Sequence, residues 1–239
     1  TTIKSVRQMI NDGVSIIDIG AMSSKPYSNE LPEEEELQRL KNVLPLIIKE
    51  FPSDIFSIDT YRSNIAEYAL DNGASIINDI SAGLKDENIL NIAKKYQAPY
   101  IAMHMQGSPQ DMQIEPNYKN VLSEIMYFFS ERMNVFSKVG LSDVIIDPGF
   151  GFGKSIEDNF QILKNLDYFQ ELNCPILAGI SRKSMIYKPL EISPNEALNG
   201  TSALHFEALR NGANILRVHD VKEAKEVIDL FKIYQKTED

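Results

Sequence analysis

Ile55–Ser81 reads IFSIDTYRSNIAEYALDNGASIINDIS: a short apolar run, a stretch of helical period, then a second short apolar run. The runs Ile55–Thr60 and Ser75–Ser81 are rich in Ile and close on polar residues, as strands buried on both faces do. Arg62–Asn72 between them is amphipathic, and Asn72-Gly73-Ala74 sets a glycine at the left-handed cap before the next strand. Strand, helix and strand in that order make a parallel unit.

The same unit recurs in both directions. Ser15–Gly20 (SIIDIG), Pro99–Met105 (PYIAMHM), Asp143–Gly149 (DVIIDPG), Pro175–Ser181 (PILAGIS) and Asn214–Asp220 (NILRVHD) bring the predicted strands to seven. Helical period marks Thr2–Asn11, Glu33–Glu50, Asp86–Tyr96, Asn117–Val139, Glu157–Glu171, Pro194–Arg210 and Val221–Tyr234. Asp12-Gly13-Val14 and Asn211-Gly212-Ala213 repeat the glycine punctuation. The acidic run Glu33–Glu36 suits the first turn of a helix and asks for no further role.

Alternating strands and helices fit either an open doubly wound sheet or a TIM-type (β/α)8 barrel. An open sheet gathers its polar residues at one switch point, whereas a barrel brings every C-terminal strand end to one mouth. Here nearly all the runs end in polar side chains, which favours the barrel. Seven strands is one short of closure, and the chain opens on a helix. The expectation is one barrel domain over residues 1–239, with its first strand missing and the outer edges of Ser15–Gly20 and Asn214–Asp220 unpaired. Such edges expose backbone and apolar side chains, so a chain begun at Thr1 is expected to be short of stability.

Composition fits this reading. The chain has 239 residues, 43% hydrophobic and 24% charged, with no apolar run near the roughly eighteen residues of a membrane span. Its net charge of −10 argues against general binding to nucleic acid or anionic membranes, while leaving room for a local cationic pocket. The single cysteine, Cys174, excludes an internal disulfide or a multi-cysteine metal site, suits a reducing cytoplasm and reads as a small buried filler.

The strand ends collect Asp18 and Ser24; Asp59; Asn78 and Asp79; His104 and Gln106; Asp147; Ser181, Arg182 and Lys183; and Arg217, His219 and Asp220. Carboxylates and a carboxamide match the N–H edge of a polar heterocycle, and the cations match phosphate oxygens. His104 reads by itself as a hydrogen-bonded wall residue and His205 as structural. Gly149, Gly151 and Gly153 in DPGFGFGKS fit either a phosphate-binding loop or a tight turn.

Taken in order, SIDTY, NDISAG, MHMQGSP with DMQ, DPGFGFGK, GISRKS and RVHDV resemble the dihydropteroate synthase family, from Asp18 to the C-terminus. The resemblance implies a (β/α)8 barrel, a homodimer, a cytoplasmic folate-pathway transferase and a sulfonamide target. It also implies Mg2+, a 7,8-dihydropterin pyrophosphate and p-aminobenzoate, by a dissociative route in which pyrophosphate leaves first and the amine then attacks. Asp59, Asn78, Asp147 and Lys183 resemble the pterin-binding set, and Met103 and Gly179 join it as substrate contacts. Arg217 and His219 resemble the pyrophosphate ligands, with Ser24 where the family usually carries Thr. Ser184, opening the helix after SRK, resembles the site for the benzoate carboxylate, walled by Phe152 and Lys183. Lys183, Asp59 and Arg217 are the implied catalytic residues. Two departures stand out: Lys25 replaces a family Arg, and the family segment that supplies the Mg2+ ligand would precede Thr1. The alternatives are a pterin-binding methyltransferase domain, which has no pyrophosphate to hold, and a noncatalytic relative, which would lose the polar mouth.

Overall fold

The structure, a computed structural model, describes residues 2–22, 31–107 and 116–236. Among the described residues seven strands alternate with helices: α1 (Thr2–Asn11), β1 (Ile17–Gly20), α2 (Glu33–Glu50), β2 (Phe56–Asp59), α3 (Ser63–Asp71), β3 (Ile76–Asp79), α4 (Asn88–Tyr96) and β4 (Tyr100–Met103) come first. They are followed by α5 (Val121–Val139), β5 (Val144–Asp147), α6 (Ile156–Lys164), β6 (Leu177–Ala178), α7 (Ser184–Tyr187), α8 (Leu198–Arg210), β7 (Ile215–Leu216) and α9 (Val221–Lys236). No described helix is long and apolar enough to cross a membrane.

The strands pair in parallel in the order β1-β2-β3-β4-β5, and β6 pairs with β7. A parallel bridge between Ile146 and Ile176 joins the two sets. In a flat sheet six spacings of about 4.8 Å would hold β1 and β7 about 29 Å apart. Instead Arg217, just past β7, places its Nε 2.9 Å from Asp18 Oδ2 on β1. The sheet therefore curls into the wall of a TIM-type barrel. Among the described residues β1 and β7 have no ladder partner on their facing edges, and this side-chain pair spans the distance.

Successive strand side chains point to opposite faces. Outward residues Ile58, Ile77, Tyr100, Ala102, Val144 and Ile146 pack with Leu40, Ile65, Ile89, Phe129, Phe136 and Ile162 in the layer beneath the helices. Inward residues Ile16, Ile76, Ile101, Ile145, Leu177 and Ile215 form a separate apolar plug inside the wall. Both faces are dry, so the strands read as continuous apolar runs rather than as alternating ones.

Every strand is shorter than its apolar run, and the acids that end β3 and β5, while still in the ladder, also serve the turns that follow. Asp79 Oδ1 accepts from Ser81 N at 2.7 Å, and Asp147 Oδ1 from Gly149 N at 2.8 Å. The stretch Glu157–Glu171 divides into α6 and a 3-10 turn, Leu166–Leu172, and Pro194–Arg210 divides into a 3-10 turn, Pro194–Glu196, and α8. Asn117–Val139 loses its first residues, because Asn120 caps α5 by accepting from Ser123 N at 3.0 Å. Gly73 takes φ +102, and a Cβ there would meet Ile48 at 2.8 Å, so the glycine punctuation is steric.

Two acids depart from expectation. Glu36 is fully buried, accepting from Thr60 Oγ1 at 2.9 Å and pairing with Arg62 at 2.5 Å, so it ties α2 to the end of β2. Asp79 has the outward parity of Ile77 and lies behind the wall, not in the mouth. There it accepts from Tyr100 Oη at 2.5 Å, Ser81 Oγ at 2.7 Å and Gly83 N at 2.7 Å. Burial raises its pKa against those hydrogen bonds. Tyr100→Phe removes the phenol from this fully buried cluster and is expected to cost about 1–3 kcal/mol in denaturant unfolding, with the substrate site unaffected. An unchanged midpoint would show that Asp79 does not depend on the phenol.

Candidate active site

The inward plug continues one step toward the C-terminal strand ends. Two residues beyond Ile16, Ile76, Ile101, Ile145, Leu177 and Ile215 stand Asp18, Asn78, Met103, Asp147, Gly179 and Arg217. On β2 the same parity carries Ser57 and Asp59, in register with Ile76 and Asn78. The period of two thus places an apolar layer below and a polar tier above it, facing one space.

Asp18 is the centre of that tier. It accepts from Ser57 Oγ at 2.5 Å, Asn78 Nδ2 at 2.9 Å and Arg217 Nε at 2.9 Å. Arg217 Nη2 also lies 2.7 Å from Asp18 and 3.1 Å from Asp59. Burial and the neighbouring Asp18 raise the Asp59 pKa to about 7, with Arg217 pulling the other way. The Arg217 side chain is 43% exposed, so solvent screens its half of the pair and burial of the carboxylate wins. Burial also raises the pKa of Asp147, opposed first by Lys183.

Lys183 sits across the tier, where burial lowers its pKa to about 8. Its Nζ lies 4.7 Å from the centroid of the Phe152 ring and donates to the Phe150 carbonyl. A methyl group at Gly179 would rest 3.8 Å from Lys183 Nζ and 3.9 Å from both Asp147 Oδ2 and Arg217 Cβ, so the missing side chain leaves open the space these three share. Above the polar tier Tyr61, Ile80, Met103 and Phe152 form a distinct apolar cluster, with Met22 and Met105 packed against it. An aromatic ligand could lie in that collar with its polar edge on the tier.

Most of the expected residues therefore meet: Asp59, Asn78, Met103, Asp147, Phe152, Gly179, Lys183 and Arg217 share one mouth. His219 is beside it, exposed, with Nδ1 3.0 Å from Ser181 Oγ. Ser24 lies outside the described residues, as does Lys25. Ser184 is half-buried and opens α7, a single turn, where its hydroxyl and N–H are the groups it can offer a carboxylate.

Other expectations change. Arg182 does not face a phosphate: its guanidinium forms a bidentate pair with Asp220 at 2.7 and 2.8 Å and donates to the carbonyls of Pro194 and Asn195. It is a loop staple, and Asp220 is spent with it. Gln106 bonds the backbone of Asn117 through both ends of its amide and is likewise structural. In the glycine loop Gly149 N, Gly151 N and Phe152 N are given to Asp147, Asn159 and Gly149, so the tight-turn reading holds over the phosphate cradle. Gly149 has φ +73, and a Cβ would fall 1.9 Å from the His104 carbonyl. His104 is a buried wall residue, its pKa lowered to about 2 by burial and then by Lys154. Cys174 is half-buried against the core, and burial raises its thiol pKa. Residues passed over were Asp18 as a hub, the collar of Met22, Tyr61, Ile80 and Met105, and the buried Lys154. The collar was open to detection, because each member follows closely on a polar strand end.

Among the described residues no three His, Cys, Asp or Glu side chains group as a metal site. The two carboxylates closest to the open edge, Asp18 and Asp59, are already taken by Arg217.

A family model described as pterin binding enzyme matches residues 1–219. The chain is 39% identical over 234 residues to a dihydropteroate synthase of Haemophilus influenzae, covering 97% of this chain and 83% of that protein. It is 39% identical over 238 residues to a bifunctional dihydropteroate synthase/dihydropteroate reductase of Helicobacter pylori, covering 99% of this chain and 62% of that longer protein. A Yersinia pestis dihydropteroate synthase solved with a sulfonamide drug complex superposes with a TM-score of 0.94 at 34% identity, over 98% of this chain and 86% of that one. A Xanthomonas albilineans dihydropteroate synthase with 4-aminobenzoic acid gives 0.92 at 33%, over 99% and 85%.

The Asp18–Arg217–Asp59 arrangement has a measurable consequence. In a carbon-detected NMR titration the Asp59 carboxyl should have a midpoint at about 7. In Asp18→Asn it should move down, because the repelling charge is gone and Arg217 is left to Asp59 alone. The linkage has a definite sign: the folded pKa is raised above the ordinary 3.8, so this group's contribution to stability is full below 3.8 and is lost as pH rises through about 7. A wild-type midpoint near 3.8 would refute the arrangement.

Proposed function

The chain belongs to the pterin-binding enzyme family, and from that premise we propose that it catalyses the dihydropteroate synthase reaction. The reaction joins 6-hydroxymethyl-7,8-dihydropterin pyrophosphate to p-aminobenzoate, giving 7,8-dihydropteroate and pyrophosphate. One observation carries the reading: the ends of separate strands converge Asp59, Asn78, Asp147, Lys183 and Arg217 on a single tier beneath an apolar collar that includes Tyr61 and Phe152. That arrangement suits a flat polar ring with an anionic tail.

In this proposal Asn78 and Asp147 meet the N–H edge of the pterin, where a carboxylate can accept two neighbouring bonds. Asp147 has one oxygen on Gly149 N, which leaves the other for the ligand. Asp59 tunes the charge of the bound ring, since a carboxyl that titrates at about 7 can answer a developing positive charge by holding its own negative charge. Arg217, with its exposed guanidinium, and His219 meet the leaving oxygens. The C–O bond between the pterin methylene and pyrophosphate breaks first, the aniline nitrogen then forms its C–N bond to that carbon, and that nitrogen loses a proton to solvent. Phe152 and Lys183 wall the benzoate ring, with Ser184 placed for its carboxylate. Mg2+ enters the proposal only as a counter-ion of the pyrophosphate oxygens, and no step above depends on it.

We extend the proposal to a cytoplasmic homodimer. Leu230, Ile233 and Tyr234, spaced to share one face of α9 and each more than half exposed, support an apolar contact between copies. The methyltransferase alternative needs no cation for a leaving phosphate, so Lys183 and Arg217 in the mouth count against it. Calorimetry with the dihydropterin pyrophosphate and, separately, with methyltetrahydrofolate discriminates the two. Asp147→Ala should weaken the pterin pyrophosphate by about 2–5 kcal/mol while the fold persists. Unchanged affinity in that variant, or preference for methyltetrahydrofolate in the wild type, would overturn the assignment.

A further inference from the structure

We propose that Lys154, the residue closing the glycine loop, is a positioning residue for the aminobenzoate half of the site: its buried ammonium holds the turn that sets Phe152 and the Phe150 carbonyl against Lys183. The inference rests on the reaction proposed above for what Phe152 and Lys183 contact, and on this chain's own geometry for how they are held.

Lys154 is 3% exposed. Its Nζ lies 3.0 Å from the Gly149 carbonyl, 3.0 Å from the Phe152 carbonyl and 3.3 Å from the His104 carbonyl. A fourth contact, at 3.0 Å, is His104 Nδ1. The Gly149 and Phe152 carbonyls are the two ends of one turn, which Phe152 N closes onto Gly149 O at 3.0 Å. His104 follows β4, so the ammonium ties both ends of the turn to a neighbouring strand. Everything in the turn that reaches the mouth lies between those ties: the Phe152 ring 4.7 Å from Lys183 Nζ, and the Phe150 carbonyl that accepts from it.

Burying an ammonium is costly, and apolar side chains of similar volume would fill the space at less expense. A cation does what they cannot, because it fixes the direction of three carbonyls at once. Burial drives the Lys154 pKa down to about 7, with Lys183 adding to the fall and Asp147 and Asp158 resisting it, so near neutral pH the group exchanges between ammonium and amine, and either form donates to these carbonyls. His104 is neutral across the working range, and in its Nε2–H tautomer Nδ1 accepts from Lys154. The ring is itself held edge-on by Phe128 with centroids 4.9 Å apart, and Tyr118 Oη donates to the Gly153 carbonyl at 2.8 Å. The far end of the loop is thus anchored independently of Lys154, which confines the effect of losing the ammonium to residues 149–152.

The test compares the wild type with Lys154→Met, which keeps the stem and removes the donors. Amide hydrogen exchange is read at Gly149, Gly151 and Phe152, with Ile58 and Ile77 in the wall as controls. Calorimetry then measures the dihydropterin pyrophosphate, and p-aminobenzoate added to protein saturated with an unreactive pterin and pyrophosphate. The expected result is loss of protection in the turn alone, pterin affinity within about threefold, and aminobenzoate affinity down by about tenfold or more. Where Lys154→Met loses protection in the wall as well, Lys154→Gln, which retains two N–H donors, decides on the same readouts. Turn protection unchanged, or both ligands weakened alike, overturns the inference. A wild type that binds neither ligand overturns the proposed reaction, and the exchange comparison still judges Lys154.

Discussion

A parallel barrel wall turns every second side chain into a space from which water is excluded unless a ligand or a mouth admits it. The rest of the molecule depends on how this chain fills that space. Isoleucines and one leucine close its lower layer, so the tier above can carry charge only if the charges answer one another. Asp18, Asp59 and Asp147 would be untenable together without Arg217 and Lys183. The Asp18–Arg217 pair also stands where β1 and β7 face one another, so a single ion pair both spans the wall and orders the site. Its worth lies less in net stability than in direction, since an exposed guanidinium contributes little by attraction alone.

The glycine loop applies the same economy of space. Its glycines exist because backbone approaches backbone: the His104 carbonyl occupies the place where a side chain of Gly149 would begin. Once the turn is that tight, the amides of Gly149, Gly151 and Phe152 are taken by Asp147, Asn159 and Gly149, and its carbonyls crowd inward. A buried cation is then the natural complement, and Lys154 supplies it. The aromatic wall of the site is thus a consequence of a backbone constraint reached through a lysine that touches no substrate.

Residues with the right chemistry at strand ends proved to have two destinies. Arg182 and Lys183 are adjacent in sequence, yet one clamps Asp220 and two loop carbonyls while the other lies over Phe152. Asp79 adjoins Asn78 but has the opposite parity, which carries it through the wall to Tyr100. Parity is readable once a strand's inward set is known, and the offset from Ile16 to Asp18 or from Ile145 to Asp147 could have been counted. The destination of Arg182 could not, because it depends on a left-handed backbone at φ +52 and on where the 3-10 turn Pro194–Glu196 delivers its carbonyls.

Sequence alone settled the alternation of strand and helix, the parallel wall, the spacing of the mouth residues and, through the motifs from SIDTY to RVHDV, the kinship. These are local properties: runs buried on both faces, glycines that end helices, and residue types held at fixed offsets from an apolar plug. Tertiary structure alone decided which charges meet, that Asp18 is the centre of them, that Arg182 and Gln106 are staples, and that Lys154 is buried. Each of those depends on distances across the wall between segments far apart in the chain. Periodicity along one strand carries no information about such distances until the barrel has curled.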